Sequence, residues 1–204
     1  VLDVVSWDNY PQWHHQKEPV TAMKSAMQHD IMRTLKKEPF LLMESSPSSV
    51  NWVPVSRLRK PGIIENASLQ AIAHGSESVL YFQIRKNRGG FEKFHGAVID
   101  HYGKEDDRVF QECCQVGDDL EQLSRMDLGR VESQVAVIYD WENRWAVEGS
   151  CGPRNENMFY KETVEKSYYA FRKLGLNVDM IDGTQELDCY RIVAAPLLYL
   201  FRPG

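Results

Sequence analysis

Cysteine is scarce and unpatterned in this chain. Cys113, Cys114, Cys151 and Cys189 form no Cys-x-x-Cys pair, no spacing of a secreted disulfide framework and no zinc pattern. A reducing, cytoplasmic setting is the expectation. Long apolar runs are missing too: the most hydrophobic stretch, residues 192 to 201, is interrupted by Pro196 and has about half the length needed to cross a bilayer. No membrane partner is expected. The chain opens on Val1 without an initiator Met or a basic segment ahead of an apolar one, so no signal peptide is expected and the start reads as internal to a longer protein. Positive charge is in deficit, with 24 Lys and Arg against 29 Asp and Glu and a net charge of -5. Phosphate backbones demand clustered cations, so nucleic acid is excluded as a partner. The run Gly149-Ser150-Cys151-Gly152-Pro153 has neither dinucleotide nor Walker spacing, and His14 and His15 lack a partner at metal-ligand distance in sequence, so no cofactor or metal is expected.

What is present is globular: 43% hydrophobic and 26% charged residues, with five Trp, nine Tyr and eight Phe. Those aromatics have two readings, core packing or stacking against the apolar faces of a sugar ring. The β-branched, apolar residues 1 to 7 predict a strand leaving into a loop at Asp8-Asn9-Tyr10-Pro11. Beyond Pro19, residues Val20, Met23, Met27, Ile31 and Leu35 recur at helical spacing. A strand over 40–43, a long loop over 45–62, a helix over 63–74 with Leu69, Ile72 and Ala73 inward, and a strand over 79–82 follow. This alternation is that of a parallel α/β sheet. A helix over 106–126 carries Val109, Phe110, Cys113, Val116, Leu120 and Leu123 on one side, and near Gly129-Arg130 the pattern restarts. There we expect a strand over 135–139, a helix over 157–174 with Phe159, Val164, Tyr168 and Phe171 inward, and strands over 178–181 and 191–195.

The most informative segment is Phe40 to Trp52, where an apolar run ends on a single carboxylate, Glu44, and enters a polar loop containing Pro47. In a closed parallel barrel the residues at the carboxyl ends of strands are free to do chemistry, although a strand-end Glu can also be merely solvated. Glu44, then Asn51-Trp52, then Tyr81-Phe82-Gln83, then Gly90-Phe91-Glu92-Lys93-Phe94-His95 resemble, in order and spacing, the second half of the catalytic barrel of family 42 beta-galactosidases. Residues 6 to 11 and 135 to 145 resemble the same family on either side.

The resemblance implies the C-terminal portion of a (β/α)8 TIM barrel over 1–130, its last three strands and last helix. Residues 131–204 would begin a glutamine-amidotransferase-like, flavodoxin-like trimerisation domain, so that the full protein forms a homotrimer. It implies a retaining hydrolase of terminal beta-galactosides, with Glu44 as nucleophile and the acid/base Glu outside this stretch. Galactose would be bound by Trp52, Glu92 and His95, with Phe82, Asp8 and Tyr10 lining the cleft. From the residues alone, Glu92 and His95 share one face if their segment makes a helical turn, or form a solvated turn. Trp52 and Phe82 are either core or ring platforms, and Asp8 and Tyr10 are also ordinary turn formers. Two other functions stay open at this stage: a retaining barrel glycosidase of different sugar specificity, and a non-catalytic oligomerisation module.

Overall fold

The computed structural model describes residues 2–11, 13–153 and 156–202. The chain divides into two compact units, Val1–Arg33 with Glu38–Arg130, and Thr34–Lys37 with Val131–Gly204.

In the first unit, β1 (Ser6–Asn9), β2 (Phe40–Ser45) and β3 (Ser76–Tyr81) form a parallel sheet in the order β1-β2-β3. Helices α1 (Glu18–Lys36) and α2 (Ile63–Ala73) are the crossovers that parallel neighbours require. Phe40 and Leu42 are buried while Met43 faces out, the two-residue period of a pleated strand. That period is then broken. The register slips between Trp7 and Asp8 in β1 and between Leu42 and Ser45 in β2, immediately before or across the acidic residues of each strand. Such irregularities re-aim side chains at strand ends.

Beyond β3 the chain turns back on itself. Val98 N donates to Gln83 O at 2.9 Å, Ile99 N to Ile84 O at 2.8 Å and Lys86 N to Ile99 O at 3.0 Å, which closes residues 87–97 into a loop containing a short 3-10 helix, Phe91–Phe94. Helix α3 (Arg108–Leu123) follows, its first turn capped by Asp107, whose carboxylate accepts from Val109 N at 2.9 Å and Phe110 N at 3.4 Å. Val109 and Val116 pack on Ile64 of α2, with Tyr81, Cys113 and Leu120 around them.

In the second unit, β4 (Val135–Ile138), β5 (Val178–Ile181) and β6 (Ile192–Ala194) form a parallel sheet in the order β5-β4-β6. Every residue of β4 is buried, as befits a central parallel strand. Helix α4 (Trp141–Gly149) is capped by Asp140, which accepts from Asn143 N at 2.9 Å. Helix α5 (Tyr160–Lys173) buries Tyr160, Val164 and Tyr168.

Several expectations need correction. Asp8 and Asn9 belong to β1 rather than to the loop, because their backbones pair with Glu44 and Ser45. The buried side of α2 is Ile64, Ser68 and Ala71, and Ala73 is exposed. Ser68 is tolerated inside because its hydroxyl donates to Ile64 O at 2.7 Å and meets Tyr81 Oη at 2.8 Å. Phe159 stands at the N-cap of α5 and is exposed, the buried ring being Tyr160, whose hydroxyl accepts from Asp140 N at 3.0 Å. Leu35 and Val20 are exposed on α1. Helix α4 had no separate sequence signal beyond its Asp cap: its turns are polar apart from Trp141, Trp145, Ala146 and Val147. All four cysteines are free, and no helix among the described residues is long and apolar enough to cross a membrane.

Candidate functional site

Glu44 is the penultimate residue of β2 and half-buried. Its Oε2 accepts the Tyr10 hydroxyl at 2.7 Å, across from the residue that follows β1. Burial pushes the Tyr10 hydroxyl well above the ordinary phenol value of 10, and its bond to Glu44 adds to the rise, so Tyr10 is a permanent donor. Asp8 is the ladder partner of Glu44 on β1. Its carboxyl is raised from the ordinary 3.8, first by burial and then by the charge of Glu44. A carboxylate fixed by one donated hydrogen bond, beside a second carboxyl whose ionisation it opposes, is an arrangement suited to chemistry.

Tyr10 links this acid to a cluster of aromatic rings. Tyr10 meets Trp52 edge-on with centroids 4.9 Å apart, Trp52 lies 5.3 Å from His95, and Phe82 meets His95 edge-on at 5.1 Å. Trp52 is 55% exposed, so its ring is not a core residue of this unit. Phe82 is half-buried, one residue beyond β3, where its backbone N–H donates to Ser45 O at 2.9 Å. His95 is fully buried, at 0% exposure. Its Nδ1 lies 2.9 Å from Gly96 O, and since a carbonyl only accepts, that nitrogen carries the proton. Nε2, an acceptor whenever the ring is neutral, has no partner among the described residues.

Glu92 lies in the 3-10 turn that ends at His95, whose N–H donates to Glu92 O at 3.0 Å. The expected helical turn is present. The Glu92 side chain joins the site through Asn51, whose Nδ2 donates to Glu92 Oε2 at 2.9 Å and to Phe91 O at 2.7 Å. Asn51 thus ties the loop after β2 to the loop after β3. Gly96 makes the same tie in the backbone. Its N–H donates to Ser49 O at 2.8 Å, and a Cβ there would sit 2.6 Å from Ser48 Cβ and 2.7 Å from Ser49 N, so only glycine fits.

Glu44, Tyr10, Trp52, Phe82 and His95 are thus in one cluster, with Asp8 beside Glu44 on the sheet and Glu92 joined through Asn51. Asn51, Gly96 and the buried Arg59 had no part in the sequence-based site. Asn51 was legible, standing in the motif beside Trp52, whereas nothing distinguishes Arg59 from Arg57 and Lys60 in one basic run.

A strand-end carboxylate beside aromatic rings, on consecutive parallel βα units, is the arrangement expected of the TIM-barrel glycoside hydrolases. Comparison with known proteins gives the family itself. The model described as Beta-galactosidase, for glycoside hydrolase family 42, matches residues 1–123, and that described as Beta-galactosidase trimerisation domain matches 133–204. The chain belongs to the family 42 beta-galactosidases. Similar proteins include Beta-galactosidase BglY of Alicyclobacillus acidocaldarius, 53% identical over 205 residues and covering 100% of this chain and 30% of that protein. Beta-galactosidase Pbg of Clostridium perfringens is 50% identical, with the same coverage of each chain. The crystal structure of a cold-adapted beta-galactosidase from Rahnella sp. R3 superposes with a TM-score of 0.94 at 50% identity, covering 100% of this chain and 30% of that one. The chain spans about 30% of the length of these relatives.

Proposed function

We propose that this chain is part of a retaining beta-galactosidase in which Glu44 is the nucleophile. The observation that carries the reading is the Tyr10 to Glu44 hydrogen bond beside a cluster of aromatic rings at the strand ends. A retaining glycosidase needs one carboxylate to attack the anomeric carbon and a second carboxyl group, about 5 to 5.5 Å away, to protonate the leaving oxygen. Tyr10, kept protonated, occupies one oxygen of Glu44 and holds the group still, leaving the other oxygen for attack. The family resemblance assigns the proton donor to a Glu that precedes this stretch. Once the galactosyl ester has formed, that group deprotonates water, which releases galactose with retained configuration.

Trp52 offers its exposed face to the sugar ring, Glu92 offers a carboxylate oriented by Asn51, and His95 offers Nε2 as an acceptor for a hydroxyl. His95 is enclosed in this structure by the rings of Tyr10, Trp52 and Phe82, so direct contact with substrate requires that enclosure to open. Residues 131–204 would open a flavodoxin-like domain that supports a homotrimer of the full protein in the cytoplasm.

The test is Glu44→Gly in the full-length protein. Activity on a galactoside should fall by more than the roughly 10²- to 10⁴-fold that a lost proton-transfer group costs, and azide should restore part of it while yielding a galactosyl azide of inverted configuration. Near-normal turnover by the variant overturns the assignment.

A further inference from the structure

The loops that follow β1 and β2 enclose a second space, apart from the Glu44 cluster. It is a cavity of about 160 Å³, with Trp13, His14, His15, Ser48, Arg57 and Arg59 on its wall. For scale, an engineered protein cavity of ~150 Å³ holds benzene, so a tetrahedral oxyanion has room here. The described wall carries two arginines and two histidines and no Asp or Glu.

Arg59 is the informative residue. It is only 6% exposed. Its Nε donates to Ser48 O at 3.3 Å, and its own carbonyl accepts from Arg108 Nη2 at 2.8 Å, so both its backbone and the root of its guanidinium are anchored. Its two terminal amino groups have no hydrogen bond or ion pair with any described residue. A guanidinium is donor-only, and a buried cation without a counter-charge is costly. Burial draws it down from 12.5 to about 10, which leaves it charged at neutral pH. A buried cation that lines a basic-walled space is neutralised best by an anion, and a fork of parallel N–H groups is the geometry that oxyanions fit.

We propose that this cavity is an oxyanion-binding site that takes a phosphate group, free or esterified to a sugar, with Arg59 as its buried anchor and Arg57, His14 and His15 at its mouth. The site does not depend on the role of Glu44. Its nearness to the cleft is set by the chain: Pro11, on its wall, follows Tyr10, and Ser48 and Val50 lie between Glu44 and Trp52.

Isothermal titration of the full-length protein with inorganic phosphate and with glucose 6-phosphate, at fixed ionic strength and against glucose and chloride as controls, tests the proposal. Saturable binding of a phosphate ligand is expected. Arg59→Gln should weaken it about tenfold or more. Arg57→Gln, at an exposed position that does not threaten folding, should weaken it severalfold and keeps the test decisive if Arg59→Gln does not fold. Equal affinity for the two ligands identifies a site for the free anion, and tighter binding of the ester identifies a subsite for a phosphorylated leaving group. No saturable uptake of either ligand overturns the proposal, as when a carboxylate from elsewhere in the polypeptide already neutralises Arg59. So does uptake that neither substitution weakens.

Discussion

At the scale of single residues, His29 shows how burial can dominate a titration. Its ring is fully buried on α1, edge-on to Trp7 at 5.0 Å and stacked on Phe40 at 5.6 Å, and neither nitrogen has a partner among the described residues. Burial, then the neighbouring His74, depress it from 6.5 to about 3, against an opposing pull from Asp30. Unfolded, the same ring takes a proton near 6.5, so between those values the unfolded state binds more protons and stability falls as the solution is acidified. His29→Phe keeps the stacking and removes the titration. The difference in denaturation midpoint between variant and parent should therefore move in favour of the variant from pH 7 to pH 4.5, and a constant difference would refute this account. Legibility in the sequence differs among residues for a related reason. Glu44 could be found because a charge ends an apolar run, and Trp52 because it follows Asn51 in a recognisable block. Arg59 and His29 owe their character to what surrounds them, and burial of a polar residue is a property of distant segments that local pattern does not carry.

At the scale of elements, periodicity located α1, α3, β2 and β5 closely, since each has a continuous apolar side or run. It failed where polar groups do the structural work. Helix α4 is held by the Asp140 cap and by Asn143, whose amide donates to Leu197 O at 2.9 Å and accepts from the N–H groups of Tyr199 and Leu200 at 2.8 and 2.9 Å. The slips of register beside Asp8 and Glu44 are equally silent in sequence, because they depend on how two strands meet. The cap of α3 gives a quantitative check at this scale. Asp107→Ala removes the acceptor for Val109 N and Phe110 N at the end of the helix that packs on Ile64, and should cost about 1 kcal/mol, read as a lower denaturation midpoint. An unchanged midpoint would show that water replaces the cap without loss.

At the scale of the molecule, the proposed chemistry can be tested for completeness. If the proton donor belongs to another part of the enzyme, a polypeptide of residues 1–204 alone should cleave no galactoside at any pH, although it contains the proposed nucleophile. Turnover by that polypeptide, abolished by Glu44→Gly, would mean that this stretch supplies both carboxyl groups, and Asp8, the ladder partner of Glu44, would be the first to examine. A different consequence follows from the double tie between the loops after β2 and β3. Asn51 grips Glu92, and Gly96 presses on Ser49 too closely for any side chain. The two loops therefore form one mechanical body, and any movement of the segment that carries Asn51 and Trp52 is passed through that bond to the Glu92 carboxylate. Lengthening either loop by a residue would misplace the other, so the unit that can be exchanged without strain is the pair of loops together.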